Sequence, residues 1–92
     1  MDAGHEVSVC LPAALSALFP GCPRDACVRA ASVGEAIAAL DRSWPGLQDR
    51  LCDGAPQLRR HIRAYVRGEI AGLGTRLNAG DEVFITTAIS GG

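Results

Sequence analysis

The sequence contains no lysine, and all nine of its basic residues are arginine. Without lysine there is no phosphate-binding loop ending in Gly-Lys-Ser/Thr, no Schiff-base chemistry and no lysine general base. Aromatic residues are also scarce, at 4% of the chain. The 48% hydrophobic and 21% charged residues nevertheless lie in the globular range, and 92 residues are enough for one core. We therefore expect a single domain over residues 1–92.

Net charge and long apolar runs are also lacking. The chain has 9 basic and 10 acidic residues, whereas capture of nucleic acid normally requires a clear positive excess. The apolar stretch 10–19 includes Pro12 and Ser16 and is too short to span a bilayer. The first six residues are acidic, where a secretory leader would be basic. These features predict a cytoplasmic protein with neither a nucleic acid nor a membrane as partner.

The four cysteines lack the Cys-x-x-Cys spacing of zinc and redox motifs. They are Cys10, Cys22, Cys27 and Cys52. In a reducing cytosol we expect free thiols and no metal site. His5 and His61 have no acidic neighbour placed to orient them, so we expect both at the surface.

Alternating apolar residues predict four strands, and one segment has helical spacing. The strands are expected at 5–11, 26–30, 61–67 and 82–87. Ser32 followed by Glu35 forms a capping box, the usual start of a helix. An apolar stripe follows at helical spacing and ends at Pro45-Gly46; its members are Val33, Ile37, Leu40 and Trp44.

One helix with one apolar stripe requires one sheet face to cover it, which predicts an α+β domain of two layers. If the first and last strands pair in parallel at the centre, the arrangement is a β-grasp with a mixed sheet of four to five strands. A ferredoxin-like fold would need a second full helix, and 47–51 offers only a further helical turn. We interpret Gly68-Glu69 as a turn.

The last strand leads into Ser90-Gly91-Gly92, which we expect to form a flexible C-terminal tail. Upstream of this tail lie Leu77 and the run Ala79-Gly80-Asp81-Glu82-Val83. Together with the segments 32–40 and 65–69, these motifs make the chain similar to the ThiS/MoaD family of ubiquitin-like sulfur carriers. Many members have Val-Asn-Gly-Glu where this chain has Val66-Arg67-Gly68-Glu69. The insert between Pro45 and Arg60 looks closest to the mycobacterial carriers that feed cysteine synthesis.

The resemblance implies a function for Gly92. In this family an E1-like adenylyltransferase uses ATP to adenylate the terminal carboxylate, and a persulfide or sulfide source converts it to a thiocarboxylate. A synthase then accepts the sulfur for cysteine, thiamin, molybdopterin or a secondary metabolite. The carrier itself has no catalytic side chain and binds no cofactor, so we expect a protein that is not an enzyme. Gly91 and Ser90 would form the adjoining tail.

Strand alternation also predicts a docking surface on the sheet face opposite the helix. That face would carry Phe84, Tyr65, Arg63 and Arg67. Aromatic residues and arginine are enriched at interfaces, which favours contact with a partner protein. The competing interpretation is that Phe84 and Tyr65 only fill a cross-strand pair.

Two other functions remain open from the sequence. A ubiquitin-like modifier would be joined through Gly92 to lysines of other proteins. The small subunit of a molybdopterin synthase would insert the same tail into a larger catalytic subunit.

Overall fold

A mixed sheet with the strand order β2-β1-β5-β3-β4 forms one layer of the computed structural model, which describes residues 4–53 and 57–87. The elements in this part of the chain are β1 (His5–Cys10), α1 (Ala13–Ser16), β2 (Asp25–Ala30), α2 (Val33–Ser43), α3 (Leu47–Leu51), β3 (Ile62–Val66), β4 (Glu69–Ala71) and β5 (Glu82–Thr87). The central strands β1 and β5 are parallel, and the other neighbouring pairs are antiparallel. The predicted β-grasp arrangement is confirmed.

The parallel pair is aligned by the turn that precedes β5. Gly80 adopts a φ of 84°, a left-handed conformation that glycine accepts without steric cost. Its N–H donates to the Glu6 carbonyl at 2.9 Å, and the Ser8 N–H donates to the Asp81 carbonyl at 3.0 Å. These two bonds bring β5 alongside β1 with Val9 opposite Val83.

The helix α2 begins at the predicted capping box. Ser32 Oγ accepts the Glu35 N–H at 3.2 Å. The Glu35 carboxylate accepts the Ala31 N–H at 2.9 Å, one residue before the N-cap. At the other end, Asp41 Oδ1 accepts the N–H groups of Gly46 and Gln48. Local side chains therefore accept hydrogen bonds from backbone N–H groups at the start of α2. The Asp41 carboxylate stabilises the turn that leads from α2 into α3.

The core lies between α2 and the sheet. Val33, Ile37 and Leu40 are completely buried. The sheet contributes the expected residues, which are Val7, Val9, Val83 and Ile85. The expectation for Trp44 requires correction, because this side chain is only partly buried against the core. Trp44 is the C-cap of α2, and its φ of −132° and ψ of 82° take it off the helical stripe.

The prediction that Gly68-Glu69 forms a turn also requires correction. Arg67 and Gly68 both have positive φ and form the tight turn, whereas Glu69 already belongs to β4. Two consecutive left-handed residues match the twist of the strands that they join. The strand β4 has three residues, which is too short for a period of two to be recognised.

The described residues include no helix of the length and apolar character needed to cross a membrane. All four cysteines are free thiols, and burial raises the pKa of Cys52.

We expect the Leu40→Ala substitution to lower the free energy of unfolding by about 2–5 kcal/mol, since it removes a fully buried side chain from the core. Arg42→Ala, at an exposed position of the same helix, should cost less than about 1 kcal/mol. Urea denaturation of both variants measures the difference. Equal stabilities would contradict the placement of Leu40 in the core.

Candidate functional site

A row of side chains crosses the sheet on the face opposite α2. Register places Cys10 opposite Phe84, Phe84 opposite Tyr65, and Tyr65 opposite Ile70. We call these four residues the apolar row. Phe84 is 46% exposed and Ile70 is 65% exposed, although both side chains are large and hydrophobic. A contiguous apolar patch of this kind typically marks an interaction site.

The sequence predicted two members of the row and missed two. Phe84 and Tyr65 are cross-strand partners, as the competing interpretation supposed, but their pairing leaves Phe84 exposed. Ile70 was missed because β4 was not recognised. Cys10 could have been found, since it alternates with the buried residues Val7 and Val9 of β1.

The Cys10 thiol contributes polarisable surface rather than a nucleophile. Burial raises the pKa of Cys10, and the neighbouring Asp25 carboxylate raises it further by hydrogen bonding and by charge. A raised pKa keeps the thiol protonated near neutral pH, and a protonated thiol behaves as a small apolar group.

The two predicted arginines occupy different positions. Arg63 is an exposed residue of β3, and its Nη1 donates to the carbonyls of Arg60 at 2.6 Å and Ile62 at 3.1 Å. Arg67 lies in the β3–β4 turn, where its φ of 54° interrupts the alternation that predicted its direction. Its guanidinium pairs with Asp81. Arg63 is thus held at the start of β3, whereas Arg67 fastens a turn.

Asp81, the last residue of the Ala-Gly-Asp sequence before β5, stabilises the turn that leads into this strand. Its carboxylate accepts the Asn78 N–H at 2.7 Å and pairs with Arg67. The Asn78 hydrogen bond and the Arg67 guanidinium together lower the pKa of Asp81 below its ordinary value. The backbone carbonyl of the same residue holds Ser8, so this motif has a structural role in aligning β5 with β1.

The predicted thiocarboxylate site and tail, Ser90 to Gly92, lie outside the described residues. The last described residue of β5 is Thr87, opposite Ile62 of β3. Among residues 4–53 and 57–87, no three His, Cys, Asp or Glu side chains gather in a way that could hold a metal ion. The candidate site in this part of the chain is the apolar row on the open face of the sheet.

A mixed sheet with a parallel central pair, a helix across one face and an apolar row on the other defines a ubiquitin-like β-grasp protein. The model of the ThiS family matches residues 23–92. The chain belongs to this family of small ubiquitin-like sulfur carriers and modifiers, as its sequence motifs predicted. Members of the family are carrier or modifier proteins rather than catalysts.

Individual relatives resemble the chain over most of its length. Small archaeal modifier protein 1 of Haloferax volcanii is 39% identical over 62 residues, which are 67% of this chain and 71% of that protein. Its crystal structure aligns with a TM-score of 0.79 at 32% identity, covering 95% of this chain and 99% of that one. Mycobacterium tuberculosis CysO aligns with a TM-score of 0.80 at 28% identity, covering 90% and 99%. A chain of the Amycolatopsis orientalis BexX/CysO complex aligns at 0.83 and 29% identity, covering 94% and 99%.

We expect the Asp81→Asn substitution to reduce the acid sensitivity of the fold. Because the folded pKa of Asp81 is lowered, its carboxylate stabilises the protein above the unfolded pKa of about 4. That stabilisation is lost as pH falls through the folded value. The wild type should therefore be more stable than Asp81→Asn at about pH 7, and this difference should shrink toward about pH 2. Denaturation at several pH values measures it, and a constant difference would refute the assignment.

Proposed function

We propose that this protein is a sulfur carrier whose Gly92 carboxylate is adenylated by an E1-like enzyme and then converted to a thiocarboxylate. The main support is the ThiS family match, which covers residues 23–92 and so includes Gly91-Gly92. The sheet supports the same function, because β5 leads from the centre of the domain into residues 88–92.

Adenylation is needed because a carboxylate is a poor electrophile. Its negative charge repels nucleophiles, and its oxygen leaves badly. Attack of a Gly92 carboxylate oxygen on the α-phosphorus of ATP releases pyrophosphate and gives an acyl adenylate. Sulfide then adds to the carbonyl carbon and AMP leaves, so one oxygen of the carboxylate is replaced by sulfur. The thiocarboxylate can deliver that sulfur to an accepting synthase.

In this proposal the domain provides the surface that partner enzymes recognise, and those enzymes catalyse the reactions at Gly92. The apolar row presents Phe84, Tyr65 and Ile70 on the open face of the sheet, and Arg63 lies two residues before Tyr65 on the same face of β3. The two glycines lack a Cβ, so their backbone can enter a narrow channel. ATP would be bound by the activating partner and not by this domain.

A second candidate function is attachment of Gly92 to lysines of other proteins. The 39% identity to small archaeal modifier protein 1 favours it, because that relative is named as a modifier. Both functions begin with the same activated carboxylate and differ in the nucleophile, which is sulfide or persulfide in one case and a lysine amine in the other.

We expect Gly92 to exchange one oxygen for sulfur when the full chain is incubated with the E1-like enzyme of the same genome, ATP and sulfide. Intact-protein mass spectrometry would show the mass gain, and fragmentation would place it at residue 92. Removal of Gly92 should abolish the exchange and leave the melting temperature unchanged, since this residue lies beyond β5. Lysine-linked Gly92 without any sulfur exchange would favour the modifier function instead.

We expect Phe84→Ala to weaken association with the activating enzyme while leaving the domain folded. Phe84 is 46% exposed, so its loss should cost the fold no more than about 1 kcal/mol. Arg42→Ala, exposed on the helix layer, is the matched control. Thermal melts and titration calorimetry on both variants separate folding from binding. Unfolding of Phe84→Ala, or unchanged binding by it, would return Phe84 to a structural role.

A further inference from the structure

Four arginines gather where β5 ends and β3 begins. Arg59 and Arg60 come just before β3, and Arg63 lies in β3 opposite Thr86 of β5. Arg50 of α3 lines a groove of about 200 Å³ that also includes Thr87. We call these four residues the basic collar. Arg63 and Arg50 adjoin Thr86 and Thr87, the last described residues of β5.

Backbone carbonyls hold two of the collar guanidinium groups, and no described carboxylate neutralises any of the four. Arg59 Nε donates to the Asp49 backbone carbonyl at 2.8 Å, and Arg63 Nη1 donates to two backbone carbonyls. Within the part of the chain that the structure describes, none of the four guanidinium groups forms an ion pair with a carboxylate. The carboxylates on the adjoining segments belong to Asp49 and Asp53, so this end is positive although the chain as a whole has a net charge of −1.

Beside the collar lies an open groove of about 490 Å³ between residues 57–63 and 70–74. Three collar arginines line it, while Leu58, Ile62 and Leu73 provide apolar walls. Ile70 also lines the groove and is the last member of the apolar row, so the groove continues from the open face of the sheet.

The shape and lining of this groove favour a protein segment as its occupant. The groove opens where the chain before β3 and the chain after β4 diverge from their last pair, Ala64 and Ala71, which leaves an elongated cleft between two backbone segments. Adding a Cβ at Gly72 or Gly74 would meet no atom within 4 Å, so the backbone there is open to an approaching chain. The lining contains none of the aromatic side chains on which nucleic acid bases stack.

We propose that the basic collar and this groove bind an acidic, extended segment on the enzyme that activates the chain, beside the cleft that receives residues 88–92. The inference rests on the proposed activation of Gly92 and adds the chemistry of the partner surface. Opposite charges around the cleft would steer the two proteins together and orient the end of β5 toward it. Carboxylates of the segment would meet the arginines, and an apolar side chain would fill the groove next to Ile70.

The test measures the association rate of the full chain with the E1-like enzyme of the same genome at several salt concentrations. The double variant Arg60→Glu/Arg63→Glu should associate about ten-fold more slowly at low salt, and the difference should disappear as salt screens the charges. Arg60→Lys/Arg63→Lys should retain the wild-type rate because the charge is kept. Arg76→Glu, at an exposed position near the start of α2, is the matched control for the single charge reversal Arg60→Glu.

Several outcomes would overturn the proposal. They are equal rates for the Arg60→Glu and Arg76→Glu variants, no association of the wild type, or collar-dependent binding of a labelled single-stranded DNA with unchanged enzyme association. If circular dichroism shows that the double variant is unfolded, the association rate of Arg60→Glu alone tests the proposal. This single change should leave the fold intact, since the exposed Arg60 side chain makes no described hydrogen bond. Sulfur exchange at Gly92 is measured separately at high enzyme concentration, where slow association does not limit it. The proposed function can therefore be confirmed even if the collar is shown not to bind the enzyme.

Discussion

The parallel pairing of β1 with β5 is the interaction on which the rest of the structure depends. It joins the first strand to the last described strand through Ser8 and Asp81 and places Val9 beside Val83 under α2. A parallel pair of strands requires a long crossover, and here the whole intervening chain serves as that crossover. β5 therefore occupies the centre of the sheet, with a paired strand on each side.

The same pairing creates two different surfaces from one strand. Alternation along β5 sends Val83 and Ile85 into the core and leaves Phe84 on the open face, where it meets Cys10 on one side and Tyr65 on the other. The apolar row is therefore a by-product of register. Most apolar residues of this small protein lie in the core, yet Phe84 and Ile70 stay exposed on this face, and the proposed docking surface rests on that exposure.

Charge is distributed just as unevenly. The composition is close to neutral, yet Arg67 is neutralised by Asp81 at one end of β3, while Arg60 and Arg63 remain unpaired with any described carboxylate at the other. Backbone carbonyls hold Arg63 without cancelling its charge. The net charge of a protein governs its non-specific attraction to other molecules over long distances, but it does not reveal a local cluster of like charges at one end of a strand.

The sequence by itself determined the strands with a period of two, the start of α2 at Ser32, and the family through the Gly80-Asp81 motif and Gly91-Gly92. These are local signals, because capping, turns and alternation depend on residues a few positions apart. Only the tertiary structure decided that β4 exists, that Ile70 and Cys10 complete the apolar row, and that Arg50 of α3 and Arg63 of β3 both adjoin the end of β5. Such neighbours come from segments distant in sequence, and register and packing bring them together only when the chain folds.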